Sequence, residues 1–114
     1  MKENILMQKA EKFALRIVKF CNLLKEQKEF NISNQLFRSG ISIGANIAES
    51  CYAASKADFT NKLRIALKEA SESEYWLKLL FSANIITENE FRSLNTDIKE
   101  LMKILTASVN TSKQ

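Results

Sequence analysis

The chain has 114 residues, of which 46% are hydrophobic and 26% are charged, and its formal net charge is +4 at pH 7. This length and composition are typical of one globular domain, here residues 1–114, built on a single core. The absence of proline and the presence of only two glycines exclude turn-rich folds and favour long helices with short connections. The mild positive charge permits contact with nucleic acid or an acidic protein but requires neither.

The chain contains no histidine, which excludes Ser/His and Cys/His nucleophile pairs, imidazole metal sites and arginine–histidine ribonuclease centres. Cys21 and Cys51 are too few for a four-sulfur zinc site. We expect both to be free, buried thiols in a reducing compartment, with a disulfide between two helices as the alternative. No signal peptide or membrane-spanning stretch is recognisable. The sequence therefore predicts a cytoplasmic protein that is not an enzyme and has no catalytic residue, cofactor or metal.

The first predicted helix runs from about Asn4 to Gln27. Its apolar stripe recurs at three- and four-residue spacing and consists of Leu6, Ala10, Phe13, Ile17, Phe20, Cys21 and Leu24. A basic stripe with the same spacing lies beside it and consists of Lys9, Lys12, Arg16 and Lys19. These four residues are our candidates for binding phosphates or a carboxylate-rich partner. A solvated lysine face is the alternative interpretation.

The second predicted helix, from about Ile32 to Ala54, is poor in charge, with only Arg38 and Glu49 between residues 32 and 55. Gly40 and Gly44 lie one turn apart, which predicts close approach of a neighbouring helix backbone. The opposite side carries short side chains, namely Gln35, Ser39, Ser42, Asn46, Glu49 and Ala53. We expect a second contact surface there, with hydrogen bonds from Ser42 and Asn46 across a subunit or helix boundary. Two contact faces on one helix favour self-association.

The third predicted helix begins after Ser55, a residue favoured at N-caps, with Asp58 as the acidic half of a capping box, and it ends near Ser82. Its main stripe consists of Phe59, Leu63, Ala66, Ala70, Leu77 and Phe81, and a second line consists of Ile65, Glu69, Glu72, Trp76 and Leu79.

We predict that the carboxylates in and near the third helix form ion pairs within or between subunits. The carboxylates are Glu49, Glu69, Glu72 and Glu74, and their candidate partners are Arg38, Lys62, Arg64 and Lys68. A metal or small-ligand site at the glutamates is the alternative.

The fourth predicted helix opens with a capping box formed by Thr87 and Glu90. Its apolar stripe consists of Phe91, Leu94, Ile98, Leu101, Met102 and Leu105. Residues 110–114 are polar, and we expect them to fray. Long amphipathic helices joined by short loops favour antiparallel neighbours. The predicted fold is therefore all-α, an antiparallel up-down-up-down four-helix bundle.

The stretch from Ser42 to Glu49, SIGANIAE, resembles the S-I-x-x-N-I-A-E signature of the four-helix-bundle proteins encoded in 23S rRNA intervening sequences, often labelled as ribosomal proteins. Further along the chain, the second half of that signature is resembled by Asp58-Phe59, Leu63, Ile65 to Ala70, Glu72 and Tyr75 to Leu77. Ser50 stands where the family usually has glycine. The resemblance spans roughly residues 36–80, and the flanking helices agree in length and position.

The resemblance implies a four-helix bundle that assembles as a ring, commonly a homopentamer. It also implies kinship with the accessory variability determinant of diversity-generating retroelements, a basic pentameric barrel that binds a reverse transcriptase and nucleic acid. Our first hypothesis is a non-enzymatic homo-oligomeric adaptor that binds RNA or a nucleic-acid-handling protein through the basic stripe. A purely structural or protein-binding oligomer is the second. The polar network or subunit interface is predicted at Ser42, Asn46, Glu49, Glu69, Glu72 and Trp76.

Overall fold

Four α-helices account for most of the protein. The computed structural model describes residues 2–113, with side chains from residue 5 onward. The helices are α1 (Lys2–Glu26), α2 (Asn31–Ser50), α3 (Lys56–Ser82) and α4 (Glu88–Ser112). No strand occurs in the described part of the chain, so the all-α four-helix bundle predicted from the sequence is confirmed.

The helices are arranged as a square in cross-section. α1 contacts α2 and α4, and α3 also contacts α2 and α4. Within residues 2–113 the backbones of the diagonal pairs do not approach closely, as expected when each helix lies antiparallel to its predecessor and short loops join them. The resulting bundle measures 44 × 20 × 19 Å. None of its described helices is long and apolar enough to cross a membrane.

One apolar core fills the centre of the bundle along its whole length. α1 contributes six buried residues of its predicted stripe, and Phe20, the seventh, is half-buried. The largest completely buried side chains from the other helices include Leu36, Ile43, Leu77, Ile98 and Leu105. Burying this apolar surface supplies the main driving force for folding. All of this core comes from one chain.

The two glycines of α2 lie where that helix meets α1. A Cβ atom added at Gly40 would lie 3.0 Å from Ile17 Cγ2, and one added at Gly44 would lie 3.7 Å from the Cβ atom and 3.8 Å from the carbonyl oxygen of Ala10. The predicted close approach of a helix backbone is therefore confirmed at Gly44. At Gly40 the closest neighbour is the side chain of Ile17 and not a helix backbone. The sequence pattern could not distinguish between these two kinds of neighbour.

Side-chain caps fix the starts of α3 and α4. The backbone N–H of Asp58 donates to Ser55 Oγ (3.0 Å), which confirms the predicted N-cap. The carboxylate of Asp58 accepts from Ala54 N (3.1 Å), one residue before the N-cap, so the capping box is displaced by one position. At α4 the box is complete, because Thr87 Oγ1 accepts from Glu90 N (3.1 Å) and Glu90 Oε1 accepts from Thr87 N (2.8 Å).

Two predicted helix boundaries were wrong. α2 ends at Ser50 and not at Ala54, because Asp58 binds the backbone of Ala54 and draws that residue into the α2–α3 connection. The following Tyr52 is 91% exposed. At the other end of the chain, residues 110–112 do not fray but continue α4, where Ser112 Oγ accepts a 2.8 Å hydrogen bond from Thr60 Oγ1 of α3. Gln114 lies outside the described residues.

The two cysteines have different environments. Both are free thiols, as predicted, but only Cys21 is buried, whereas Cys51 is exposed just after the end of α2. Burial raises the pKa of Cys21 to about 11, although the nearby Lys25 lowers it somewhat. The expectation that Cys51 is buried was wrong, because it assumed that α2 continues to Ala54.

Candidate functional site

The basic stripe of α1 lies along the seam between α1 and α4. Lys9 Nζ lies 3.2 Å from Glu100 Oε2, and Arg16 Nη1 donates to Asp97 Oδ2 at 2.5 Å. The second guanidinium nitrogen of Arg16 donates to Ser93 Oγ at 2.7 Å. Two of the four predicted phosphate ligands are thus engaged by carboxylates of their own chain, a pairing that the pattern within α1 alone could not show.

The other two residues of the stripe, Lys12 and Lys19, make no ion pair among the described residues. Lys12 lines a groove of the α1–α4 seam that also exposes Asp97 and Glu100. Lys19 lines a second groove that includes Glu90. An approaching phosphate would therefore meet negative charge close to each lysine, which weakens its attraction. The role of the four basic residues in partner binding stays a prediction.

A charged network links α2 to α3. Arg38 donates to Glu69 Oε1 at 3.4 Å and also pairs with Glu72. The indole Nε1 of Trp76 donates to Glu72 Oε2 at 2.8 Å. The hydrogen bond from Trp76, followed by the pairing with Arg38, lowers the pKa of Glu72 below its ordinary value, and partial burial opposes this shift. The prediction that Arg38 pairs with the α3 glutamates is confirmed.

The remaining carboxylates of the predicted cluster are also paired. Lys62 Nζ donates to Glu49 Oε1 at 3.0 Å, which raises the pKa of Lys62 above its ordinary value. Glu74 lies on another side of α3, where its Oε2 is 2.8 Å from Lys99 Nζ of α4, although the angles of this ion pair are not those of a hydrogen bond. The sequence named Lys62 among the partners but missed Lys99, because nothing in the sequence indicates which lysine of another helix comes near.

Ser42 and Asn46 form hydrogen bonds within α2. Ser42 Oγ donates to Arg38 O at 2.6 Å, and Asn46 Nδ2 donates to Ser42 O at 2.9 Å. Inside one chain they do not bond across a helix boundary, so that half of the prediction was wrong. The hydrogen bond between helices comes instead from Ser39, whose buried Oγ lies 2.8 Å from Ser73 Oγ. Ser39 had been assigned to the polar outer side. A contact of Ser42 and Asn46 with another subunit stays a prediction.

The side of α2 that faces away from the bundle is almost free of charge. We call this surface, formed by Ile41, Ser42, Ala45 and Ala48, the outer α2 face. Arg38 and Glu49, the two charged residues of α2, both reach sideways to α3. In contrast, α4 carries seven charged residues. Ala45 is exposed, and the other three are half-buried. A neutral face on which three of four side chains are small favours close contact with another helix.

The described residues include one apolar cavity and no metal-binding cluster. They contain no group of three or more Cys, Asp or Glu side chains that could hold a metal ion. An apolar cavity of about 180 Å³ lies at one end of the bundle and is lined by Leu6, Ile47, Cys51, Phe59, Leu63 and four hydroxyl residues. No Asp, Glu, Lys or Arg side chain lines this cavity, and Cys51 contributes its one titratable group.

The sequence profile of the 23S rRNA-intervening sequence protein family matches residues 2–107, almost the whole described chain. The chain belongs to this family. The family match includes α1, α2, α3 and most of α4, and it extends the resemblance seen in α2 and α3 to their neighbours. No curated protein matches the sequence significantly.

A solved structure agrees with this assignment to the 23S rRNA-intervening sequence protein family. A crystal structure at 1.70 Å resolution shows a protein of unknown function from the S23 ribosomal protein family of Bacteroides thetaiotaomicron. It is 50% identical to this chain and superimposes with a TM-score of 0.93, covering 96% of this chain and 99% of the other. The fold is therefore shared along essentially the entire length.

Proposed function

We propose that this member of the 23S rRNA-intervening sequence protein family is a non-enzymatic homo-oligomer, a pentameric ring, which serves as an adaptor for RNA or a nucleic-acid-handling protein. The observation that carries the proposal is the outer α2 face. In a helix that lies at the surface of its own subunit, the charged residues turn sideways and leave a neutral strip of small side chains. Such a strip allows the backbone of another helix to approach closely.

A ring also requires a second, different face on each subunit, because the contacts of cyclic rings other than dimers are heterologous. α1 presents exposed aliphatic side chains that meet this requirement. Ile5 is 49% exposed, Leu15 is 58% exposed and Leu23 is 54% exposed. A contact between the outer α2 face and the exposed aliphatic residues of α1 would remove apolar surface of both from water.

The charge network beside the outer α2 face also supports assembly. Pairing of Arg38 with Glu69 and Glu72 neutralises charges that would otherwise oppose desolvation at a subunit boundary. Trp76, half-buried next to this network, adds an aromatic group of the kind enriched at interfaces. Kinship with the accessory variability determinant of retroelements is part of the same proposal. It is supported by the two-part signature motif, whose halves lie in α2 and α3.

The alternative is a purely structural or protein-binding oligomer with no contact to nucleic acid. The pairing of Lys9 with Glu100 and of Arg16 with Asp97 favours this alternative for the α1 stripe. The two hypotheses differ in salt dependence. Binding of structured RNA through phosphates weakens steeply as salt rises. An affinity that stays flat between low and physiological salt would leave the structural oligomer as the function.

The mass of the protein in solution, measured by light scattering, tests the assembly. We expect the wild-type protein to have several times the mass of one chain. Ala45→Arg places a charge in the outer α2 face and should give folded monomers. Thr106→Arg places the same charge at an exposed residue of α4 on the side of Lys99, away from both proposed contact faces, and should leave the mass unchanged. A monomeric wild-type protein would end the ring proposal.

A further inference from the structure

The chain has a net charge of +4, but the basic stripe of α1 does not account for this excess of positive charge. The four cations of that stripe face Asp97 and Glu100 across the α1–α4 seam, with Glu90 at one end. Four positive charges beside three negative ones leave this side of the bundle nearly neutral. The excess positive charge must therefore lie elsewhere, and the other side of α4 is where it is found.

Three contacts fix which sides of α3 and α4 meet. Thr60 donates to Ser112 at 2.8 Å near one end of the bundle, and the rings of Phe81 and Phe91 stack with centroids 5.0 Å apart near the other. Between them, Lys99 reaches Glu74 across the seam at 2.8 Å. Side chains on the outward flanks of this seam, on both helices, therefore form one continuous surface.

This surface, which we call the α3–α4 basic face, holds six exposed cations: Arg64, Lys68 and Lys78 from α3, and Arg92, Lys99 and Lys103 from α4. Two carboxylates of this face, Glu74 and Glu88, pair with Lys99 and Arg92, and Glu72, which pairs with Arg38, lies beside it one turn after Lys68. The side chain of Glu74 is only 11% exposed. The surplus of positive over negative charge on this face equals the formal net charge of the whole chain.

The three cations of α3 are free to meet a ligand. Arg64, Lys68 and Lys78 make no ion pair with any described residue, unlike Lys9 and Arg16 of the α1 stripe. They extend over fourteen residues of continuous helix, or about 21 Å at ~1.5 Å per residue. Sequence periodicity did not single out this face, because its charges are divided between two helices that are distant in the chain.

An exposed aromatic ring lies among these cations. Tyr75 is on the same side of α3, one turn before Lys78 and two turns after Lys68, and is 55% exposed. Its ring packs edge-on against Trp76 at a centroid distance of 5.1 Å, which restricts its motion. Cations that attract phosphates, with an aromatic ring between them on which a base can stack, are the combination used to bind single-stranded nucleic acid.

We propose that the α3–α4 basic face, and not the α1 stripe, binds single-stranded nucleic acid, with phosphates on Arg64, Lys68 and Lys78 and a base stacked on Tyr75. The proposal rests on the nucleic-acid half of the proposed function and assigns that half to a surface and a ligand. Single strands fit better than duplexes, because the bases of a duplex are not available to Tyr75. An acidic protein would use the cations but would gain less from an aromatic ring between them.

The test compares two triple variants that change the net charge equally. Lys9→Gln/Lys12→Gln/Lys19→Gln removes three of the four cations of the α1 stripe, and Arg64→Gln/Lys68→Gln/Lys78→Gln removes the three α3 cations of the α3–α4 basic face. Binding to a fluorescein-labelled 20-nucleotide RNA is measured by anisotropy over a range of salt concentrations, with single-stranded DNA and an RNA duplex of the same sequence in parallel. The α3 variant should bind at least tenfold more weakly, with a salt slope shallower by about 2, while the α1 variant stays within about threefold of wild type.

Tyr75→Leu should weaken single-strand binding by about tenfold with little change in the salt slope. Loss of binding in the α1 variant with retention in the α3 variant would overturn the assignment of the face but leave the proposed function intact. Equal or tighter duplex binding that is insensitive to Tyr75→Leu would overturn the single-stranded ligand. Absence of any nucleic-acid binding at low salt, with or without binding of polyglutamate, would remove both this inference and the nucleic-acid half of the proposed function.

Light scattering on the same variants separates binding from assembly. An unchanged mass and an unchanged helical circular dichroism spectrum for the α3 variant are expected if its cations contact a ligand. A change in mass would mean that the α3–α4 basic face lies between subunits, and it would overturn the proposal even if nucleic-acid binding were lost.

Discussion

Glu72 shows how one residue can belong both to the fold and to a candidate interface. Its carboxylate accepts a hydrogen bond from the indole of Trp76 and pairs with Arg38. Both interactions favour the charged form, and they lower the pKa of Glu72 below the ordinary value of 4.5. A carboxyl group with a depressed pKa stabilises the native state above the unfolded-state pKa, and this stabilisation is lost as the pH falls through the native-state pKa.

We therefore expect Trp76→Phe to raise the pKa of Glu72, because it removes the largest cause of the shift while keeping an aromatic ring. Titration of the side-chain carboxyl by NMR measures this pKa directly. The part of the stability difference between wild type and variant that comes from Glu72 should be fully present above pH 4.5 and should shrink below it. Tyr75→Phe alters the neighbouring ring without touching Glu72 and should leave the pKa unchanged. Equal shifts in the two variants would contradict the assignment of the cause to Trp76.

At the scale of single residues, the sequence predicted which charged residues form ion pairs better than it predicted which polar residues are buried. It identified Arg38, Glu69 and Glu72 as partners because opposite charges near a shared helix face must be satisfied. It placed Ser39 at the surface, whereas Ser39 is completely buried and pairs with Ser73. Because the hydrogen bond of Ser39 is made with another uncharged serine, no pattern of charges in the sequence indicates that Ser39 is buried. Which surface residue of one helix lies near a residue of another, as for Glu74 and Lys99, depends on helix rotation, which the pattern of a single helix does not determine.

At the scale of elements, the helices and their starts followed from local physics, whereas one helix end did not. Apolar periodicity and the capping residues Ser55 and Thr87 locate α3 and α4 because these signals act within a few residues. The end of α2 depends on Asp58 reaching back to Ala54, a contact between two elements. That single contact also explains why Cys51 is exposed and not buried.

The two glycines of α2 give a prediction about the α1–α2 contact. Gly44→Ala should raise the free energy of unfolding by up to about 1 kcal/mol, because alanine favours the helix and its Cβ would meet Ala10 at an ordinary 3.7 Å. Gly40→Ala should lower it by about 1–3 kcal/mol in spite of the same helix preference, because its Cβ would lie only 3.0 Å from Ile17. Ile17 is completely buried and stiff at χ1, so it cannot easily move away.

Urea unfolding of the two variants at one protein concentration, followed by circular dichroism, measures both changes. Each variant is the control for the other, since the substitution, the helix and the neighbouring helix are the same. Stabilisation of similar size in both would show that Gly40 does not determine the α1–α2 separation.

At the scale of the whole molecule, the surface is divided by charge and apolarity among the sides of a square bundle. The outer α2 face is neutral, the α1–α4 seam is nearly balanced, and the α3–α4 basic face carries the excess charge. A ring formed through α2 and α1 would leave the α3–α4 basic face available to a ligand. Assembly and nucleic-acid binding would then use different sides of each subunit, and mutations could separate them.

This division predicts how thermal stability depends on protein concentration. If subunits associate through the outer α2 face, mass action stabilises the native state, and the wild-type unfolding midpoint should rise by about 2–6 °C for each tenfold increase in concentration. The Ala45→Arg variant should be a folded monomer at low temperature, because the core is complete within one chain. Its unfolding midpoint should not depend on protein concentration. Thr106→Arg should behave as wild type, because it is exposed on α4 away from both the outer α2 face and the exposed aliphatic residues of α1. The contradicting outcome is a wild-type midpoint that stays constant over a hundredfold range of concentration while the mass exceeds that of one chain. The subunits would then stay associated through unfolding, or assembly would contribute nothing to stability. In either case the outer α2 face would not act as described.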